Sequence, residues 1–355
     1  MNASMALSVT LLAPKSSVTK GFFRMGAALR ANNPPRGVIY NIRKTRFDVP
    51  FKFDKYEFSP ATASFWLFNA LRDHLDAGGR SQLIHSFFWG YFNLWRPWIH
   101  ENDSSASQYL TEYYSFNSRA VEKLVKLSAR ILNADSCRSV IVWSKKARQG
   151  MIDDGVHEEK VRVVPPPMPL GERVSQAGRP FRITFVGRDY VRKGGEYALK
   201  AFRDLSNAAD VKLSYVGSID DPAWRNWAKS TPGIEYSEFL PNSALRERIY
   251  PETDLFVLPT FAETGPLTVL EAMSYGIPVL ATDLPRIKEL VDGYSQECTF
   301  EKGNYTEFLD KLLCFIGDER LRRRVGNGLK QIVASRFSPE KVNEKLLETY
   351  SASLS

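Results

Sequence analysis

The sequence predicts an α/β protein with parallel sheets and two Rossmann-like halves. The strongest observation is the stretch 254–282, where a buried strand, a turn, a helix and a second buried strand follow one another. Residues 6–42 show the same strand–helix–strand order, and at the start of the second half a strand at 181–186 again precedes a helix. A chain of 355 residues is long enough for two ordinary domains.

Composition narrows the class of protein. Apolar residues make up 43% and charged residues 25%, as in soluble globular proteins. The net charge of +8 suits an acidic substrate such as a diphosphate, or an anionic membrane surface. No long basic run or nucleic-acid-binding motif accompanies this charge, so a nucleic-acid partner is not expected.

The cysteines and the hydropathy of the sequence indicate the cellular location that we expect for the protein. Cys137, Cys298 and Cys314 are scattered and form no C-x-x-C pair, which indicates neither a disulfide scaffold nor a zinc site and favours a reducing cytoplasm. The first residues lack the features of a signal peptide, and no run of 18 apolar residues occurs. We therefore expect a cytoplasmic protein, soluble or peripheral to a membrane.

The first half of the sequence is predicted to form alternating strands and helices. Apolar runs predict the strands, 3.6-residue periodicity predicts the helices, and Pro or Gly separates them. Consecutive prolines at 165–167 stop the last strand because they cannot continue a sheet. We predict a first domain at 1–165 and a linker at 166–180. The predicted strands are 6–13, 37–42, 81–88, 139–143 and 161–164, and the predicted helices are 18–31, 61–76, 104–114, 118–132 and 145–151.

The second half follows the same rules. We predict a second domain at 181–337 and a final helix within 338–355, begun by Ser338 and Pro339. The predicted strands are 181–186, 211–216, 234–240, 255–258 and 277–281, and the predicted helices are 196–205, 244–250, 266–274, 287–291, 306–316, 319–335 and 342–350.

The turn after the strand at 255–258 carries the first candidate site. Pro266 suits the first position of the next helix, and Glu263 and Glu271 flank its start. The turn is predicted to aim free backbone amides into the crevice at the carboxyl ends of the strands. Free amides attract phosphate, and carboxylates suit sugar hydroxyls. The predicted turn and amide donors are Thr264, Gly265, Pro266, Leu267, Thr268 and Val269.

Two cations are predicted to face the same crevice. Gly187 and Arg188 follow the strand at 181–186, and Lys193 stands just before the next helix. Fixed positive charges at these places suit a departing nucleoside diphosphate. The alternative is that both cations, and the two glutamates, are ordinary solvated surface residues.

These motifs resemble a known family. E-x7-E followed by A-M-x-x-G-x-P-V, together with G-R-x4-K-G, is similar to the retaining GT-B glycosyltransferases of the family-4 type, glycosyl transferases group 1. The resemblance covers about 181–350 well and the first half weakly. It implies two Rossmann-like domains facing across a cleft, with the last helix crossing back to the first domain. It also implies hexose transfer from a UDP- or GDP-sugar to a glycan, lipid-linked or other hydroxyl acceptor, with retention.

The resemblance also implies residue roles. Arg188 and Lys193 would grip the diphosphate, Glu263 would orient the hexose, and Glu271 would hold the ribose. Phe239 and Leu240 would hold the base through backbone contacts. Counting Gly187 and the turn, the implied donor-binding set is Gly187, Arg188, Lys193, Phe239, Leu240, Glu263, Thr264, Gly265, Pro266, Leu267, Thr268 and Glu271.

In the first half, the resemblance implies a catalytic or acceptor-side role for His85 and a loop near the donor phosphates. The family's usual Gly-Gly of that loop is replaced by Ser16 and Ser17. No D-x-D motif occurs, so we expect a metal-independent enzyme that needs no cofactor beyond its donor.

The aromatic segment 87–100 leaves three interpretations open. It is core packing, an acceptor pocket, or a face at a membrane interface. The candidate acceptor residues are Trp95, Arg96 and Trp98. Two other functions also stay open, a GT-B nucleotide-sugar epimerase and a sugar-nucleotide-binding protein without catalysis; the scarcity of His disfavours the first, and the intact motifs disfavour the second.

Overall fold

The chain folds into two compact units. The computed structural model describes residues 6–13, 25–44, 81–87, 91–113, 115–174, 178–205 and 210–355. The first unit combines Met1–Pro167 with Pro339–Ser355, and the second is Met168–Ser338. The predicted linker at 166–180 spans this division. The predicted helix at 61–76 lies outside the described residues.

The first unit contains a parallel sheet of six described strands. Its strands are β1 (Leu7–Ala13), β2 (Val38–Lys44), β3 (Leu83–Ser86), β4 (Trp98–Asn102), β5 (Cys137–Val142) and β6 (Val161–Val163). Their order is β2-β1-β3-β4-β5-β6, so β1 has β2 on one side and β3 on the other. The predicted strands are confirmed, with ends that differ from the prediction by at most two residues. β4 was not predicted, because its first three residues lie within the aromatic segment.

The last helix of the chain completes the core of the first unit. Val342, Leu346 and Tyr350 are fully buried among apolar residues of β1, β4 and β5. The C-terminal helix therefore returns to the first unit, as the fold class implies. The helical segments of this unit are Met25–Asn32, the π-helix Gln108–Tyr113, Arg119–Asn133, Lys145–Asp153, the 3-10 turn Glu158–Lys160 and Pro339–Leu354.

The second unit contains another parallel sheet. Its strands are β7 (Phe181–Val186), β8 (Val211–Val216), β9 (Ile234–Ser237), β10 (Leu255–Leu258), β11 (Val279–Thr282) and β12 (Thr299–Phe300). Their order is β12-β11-β10-β7-β8-β9, so β10 and β7 are neighbours although β8 and β9 lie between them along the chain. The predicted strand at 234–240 is shorter than expected, which leaves Phe239 and Leu240 in the loop that follows, and β12 was not predicted.

The predicted helices of the second unit are found close to their predicted places, whereas Pro222–Ser230 and Ser295–Cys298 were not predicted. Pro266 is the residue before the helix at 267–274 rather than its first member. Gly276 closes that helix with φ +71°, a left-handed conformation that glycine adopts without steric cost. The helical segments are Gly195–Leu205, Pro222–Ser230, Asn242–Ala244, Leu245–Ile249, Tyr250–Glu252, Leu267–Ser274, Pro285–Leu290, Ser295–Cys298, Tyr305–Gly317 and Glu319–Arg336.

Candidate functional site

The topology of the second sheet locates the candidate site. From β7 the chain continues to β8 and β9 on one side, and then returns to place β10 on the other side. The loops after β7 and β10 therefore leave neighbouring strands at the carboxyl edge, where the strand order reverses. Open α/β sheets bind ligands in the crevice at such a point. The motif residues around Arg188, Lys193 and Glu263 lie on these two loops.

Direct hydrogen bonds join the two loops. The Arg192 carbonyl accepts from the Phe261 amide at 2.7 Å and from Thr260 Oγ1 at 3.1 Å. Arg192 Nη1 donates to the Ala262 carbonyl at 3.1 Å, and Arg192 Nε donates to Asp189 at 3.0 Å. We call these five residues the loop clasp. The sequence did not predict it, because a loop arginine that binds backbone carbonyls has no motif.

The loop clasp places Lys193 directly against Glu263. Lys193 Nζ donates to Glu263 Oε2, and the exposed fractions of these side chains are 15% and 4%. The Thr264 amide donates to the other Glu263 oxygen at 3.2 Å. The interpretation of Glu263 as a solvated loop residue is therefore wrong. Arg188, by contrast, has an exposed side chain, while its carbonyl accepts from the Ser218 hydroxyl.

The turn after Glu263 differs from its prediction. The Leu267 amide donates to the Gly265 carbonyl at 2.8 Å, and the Val269 amide donates to the Pro266 carbonyl at 3.1 Å. Pro266 has no N–H to offer. The prediction that the amides of Leu267 and Val269 are free is wrong, because the turn itself uses them. Side-chain cations are therefore the main source of positive charge on these loops, with Thr268 beside them in the first turn of the helix.

Glycines let the loop after β7 pack closely. A Cβ on Gly187 would lie 2.9 Å from Lys193 Cβ. Gly194 has φ +69°, and a Cβ there would lie 1.9 Å from the Pro259 carbonyl oxygen, on the loop after β10. Only glycine allows both the dihedral angle and the approach at position 194.

Glu271 is buried rather than at the surface. Its side chain is 1% exposed, and it accepts from Asn242 Nδ2 at 2.7 Å and from Tyr250 Oη at 2.9 Å. Burial raises the pKa of this carboxyl, and the two donors partly oppose that shift. The alternative of a surface helix residue is wrong. The sequence missed Asn242 and Tyr250, because their contact with Glu271 depends on the fold alone.

One of the two predicted base-binding residues, Leu240, lines a cavity. Phe239 is exposed, and Leu240 lines a cavity of about 300 Å³ with Val216, Tyr236, Ser237, Arg248 and Ile249. The cavity is at the carboxyl ends of β8 and β9. A base at Phe239 and Leu240 stays a prediction.

His85 belongs to a buried polar cluster in the first unit. His85 Nε2 lies 2.9 Å from Glu101 Oε2, and His85 Nδ1 lies 2.7 Å from the Tyr350 hydroxyl. Arg30 Nε lies 3.1 Å from the same Glu101 oxygen, and Trp143 Nε1 donates to Glu101 at 2.7 Å. His85 has no exposed surface. These contacts account for His85 as a structural residue, and its catalytic role stays a prediction.

Burial and pairing set the charges of this cluster. Desolvation lowers the pKa of His85 despite its contact with Glu101. Burial alone would raise the pKa of Glu101, but Arg30 and His85 reverse the direction and lower it. The cluster thus holds an ionised Glu101 between an arginine and a neutral histidine.

The aromatic segment separates into core and surface. Trp98 is fully buried in β4, and its ring meets Tyr91 edge-on, so the acceptor interpretation is wrong for Trp98. Trp95 is 78% exposed, and Arg96 donates to the Ser81 carbonyl. Since Ser81 precedes β3, this turn is at the amino edge of the sheet, opposite the edge where such sheets bind ligands. An acceptor role for Trp95 and Arg96 stays a prediction, and Ser16 and Ser17 lie outside the described residues.

The described residues contain neither a membrane-spanning helix nor a metal-ligand cluster. Within the described ranges, no helix is long and apolar enough to cross a bilayer. Over those same ranges, no group of three or more His, Cys, Asp or Glu side chains is arranged to hold a metal ion.

Comparison with known proteins agrees with this geometry. Residues 180–318, which include both loops, match the family model for glycosyl transferases group 1. An uncharacterized glycosyltransferase of Haemophilus influenzae is 24% identical over 239 residues, covering 66% of this chain and 67% of that protein. The D-inositol 3-phosphate glycosyltransferase of Nocardia farcinica is 26% identical over 310 residues, covering 78% and 67%.

A solved structure shows the same fold. Anabaena HepE, in complex with UDP and glucose, superposes with a TM-score of 0.70 at 14% identity, covering 98% of this chain and 100% of HepE. The chain therefore has the GT-B fold, with two parallel six-stranded sheets among its described residues.

The close approach at Gly194 generates a prediction. Gly194→Ala should destabilise the second unit more than Gly293→Ala, which has a similar φ of +82° but no atom within 4 Å of a new Cβ. The control carries only the dihedral cost of about 1–2 kcal/mol, whereas Gly194→Ala adds about 1–3 kcal/mol for the steric clash. Urea unfolding of both variants measures the difference. Equal losses of stability would show that the two loops do not meet at this point.

Proposed function

We propose that the chain transfers a hexose from a nucleoside-diphosphate sugar to a hydroxyl acceptor, with retention, because residues 180–318 match the family model for glycosyl transferases group 1. The observation that carries this proposal is the placement of Lys193 and Glu263, in contact, on two joined loops at the reversal of strand order. One side chain suits a diphosphate and the other a sugar.

The two cations supply the main catalytic effect. As the bond between the anomeric carbon and the diphosphate breaks, negative charge grows on the leaving phosphate. Positive groups held in place beforehand stabilise that charge without reorganising. Lys193 is held by Glu263, and Arg188 follows β7 on the same loop. With Arg188 and Lys193 both on this loop, we infer that the reaction needs no divalent metal.

The two glutamates have different tasks. The two oxygens of Glu263 accept hydrogen bonds from Lys193 and from the Thr264 amide. In this proposal Glu263 orients the hexose hydroxyls of a bound donor and otherwise pairs with Lys193. Glu271 is deeper and acts on the ribose side of the donor. In this proposal the leaving phosphate accepts the proton of the acceptor hydroxyl on the same face of the sugar, so that no separate base is required.

A UDP-sugar is the first donor to test. Labelled UDP- and GDP-hexoses should release nucleotide when incubated with the protein, and exhaustive EDTA treatment should leave the rate unchanged. Product stereochemistry by NMR should show retention at the anomeric carbon. Binding of donor without nucleotide release would favour a non-catalytic binding protein. A rate restored only by Mg²⁺ or Mn²⁺ would overturn the metal-independent mechanism.

Removing either cation should affect the rate strongly. Arg188→Ala and Lys193→Ala should each raise the barrier by about 3–4 kcal/mol, a loss of roughly a hundredfold to a thousandfold in turnover. Arg188 is exposed, so its loss should change stability by about 0–1 kcal/mol. Lys193→Ala also leaves the nearly buried Glu263 carboxylate without its cation, so this variant should melt at a lower temperature.

A matched control separates catalysis from general charge. Arg203→Ala removes an exposed cation from the helix Gly195–Leu205 in the same unit and should leave turnover unchanged. Turnover and melting temperature are measured for all three variants. A near-normal rate for Arg188→Ala or Lys193→Ala would place the diphosphate elsewhere.

A further inference from the structure

One side of the cavity at the carboxyl ends of β8 and β9 is formed by a short irregular segment. Residues 242–252 run through one turn of α-helix, a π-helix and a 3-10 turn before β10 begins. We call this stretch the wall segment. It contributes Ala244, Arg248 and Ile249 to the cavity lining, which also includes Val216 and Tyr236.

A residue near each end of the wall segment donates a hydrogen bond to the carboxylate of Glu271. Asn242 Nδ2 donates to Glu271 Oε1 at 2.7 Å, and Tyr250 Oη donates to Glu271 Oε2 at 2.9 Å. The middle is held separately, because the Tyr275 hydroxyl donates to the Arg246 carbonyl at 2.8 Å. Glu271 thus links the two ends of the segment to the helix Leu267–Ser274.

The strength of this link depends on the ionisation of Glu271. Its carboxyl is fully buried, which favours the protonated form and raises its pKa, while donation from Asn242 and Tyr250 favours the ionised form. The charged and titratable groups around it are Arg246 and Tyr250 from the wall segment, with Tyr275 behind Tyr250. Loss of either donor leaves a buried carboxylate oxygen poorly satisfied.

We propose that Asn242 and Tyr250 are positioning residues for the donor nucleotide, which set the wall of its cavity by binding the two oxygens of Glu271. This assignment rests on the proposed function. Neither residue belongs to the motifs that point to the donor, and neither needs to touch the nucleotide in order to act.

The role of the Tyr250 hydroxyl can be tested separately from the packing of its ring. The ring is fully buried against Phe256 and Tyr275, with centroid distances of 6.3 Å and 5.5 Å, and phenylalanine would keep that packing. Among the described residues, Glu271 is the hydrogen-bond partner of the hydroxyl. Tyr250→Phe therefore removes the link to Glu271 and little else.

The test is the affinity for UDP and for GDP as a function of pH. For whichever nucleotide the unsubstituted chain binds, Tyr250→Phe should weaken binding about tenfold near neutral pH, as expected for a lost hydrogen bond to a charged group. Without that donor the pKa of Glu271 rises further. Affinity is full above this pKa and is lost below it, so the variant should lose affinity at a higher pH than the unsubstituted chain. In turnover, KM for the donor should rise more than kcat falls.

Tyr275→Phe is the matched control. It releases the same wall segment at Arg246 without touching Glu271, so affinity should fall with no shift along the pH axis. A Tyr250→Phe variant that binds nucleotide like the unsubstituted chain at every pH, but melts earlier, would reduce Tyr250 to a stabilising residue and overturn the assignment. The same pH shift in Tyr275→Phe would also overturn it. Failure of the unsubstituted chain to bind either nucleotide would instead contradict the proposed function, and the assignment with it.

Discussion

The candidate site depends on the hydrogen bonds that Arg192 makes across two loops. Its carbonyl accepts from Thr260 and Phe261, and its guanidinium donates to the carbonyl of Ala262. Backbone groups in loops must find partners, and here each loop satisfies the other. Because β7 and β10 are neighbours in the sheet but distant in sequence, this contact helps to bring together Lys193 and Glu263, which are 70 residues apart in the chain.

The contact between the two loops makes Lys193 and Glu263 an ion pair. Lys193 and Glu263 are both largely shielded from water, so each needs the other while no ligand is present. Under the proposed function, a diphosphate that enters the site would compete with Glu263 for Lys193, and a hexose would offer hydroxyl donors to Glu263 in exchange. The cost of separating the pair is then offset by new contacts on both sides. The amides of Leu267 and Val269 donate hydrogen bonds within the turn. In this account, the exchange of partners by Lys193 and Glu263 therefore contributes more to donor binding than those amides do.

Much of the second unit could be predicted from the sequence. Its strands are short, apolar and bounded by Gly or Pro, and β7, β8 and β10 begin and end at their predicted residues. β12 has only two residues, too few to give a periodic signal. In the first unit β4 was missed, because its first three residues lie in the aromatic segment 87–100, which was interpreted as core, acceptor pocket or membrane face rather than as a strand.

Residues of the candidate site could be predicted only where they belong to a recognisable sequence motif. Lys193, Glu263 and Glu271 belong to spacings that can be recognised, whereas Arg192, Asn242 and Tyr250 act through contacts that arise when distant segments meet. His85 shows the opposite case. Its place at the end of a strand suggested chemistry, but its contacts with Glu101 and Tyr350 depend on an arginine and a C-terminal helix that no local pattern connects to it.

A crystal structure of the protein with UDP bound tests the central claim most directly. The account predicts that the diphosphate lies between the loops after β7 and β10, with its oxygens within hydrogen-bond distance of Lys193 and Arg188, and with the bond from Arg192 to Phe261 preserved. A diphosphate bound away from these loops, with Lys193 still on Glu263, would contradict it.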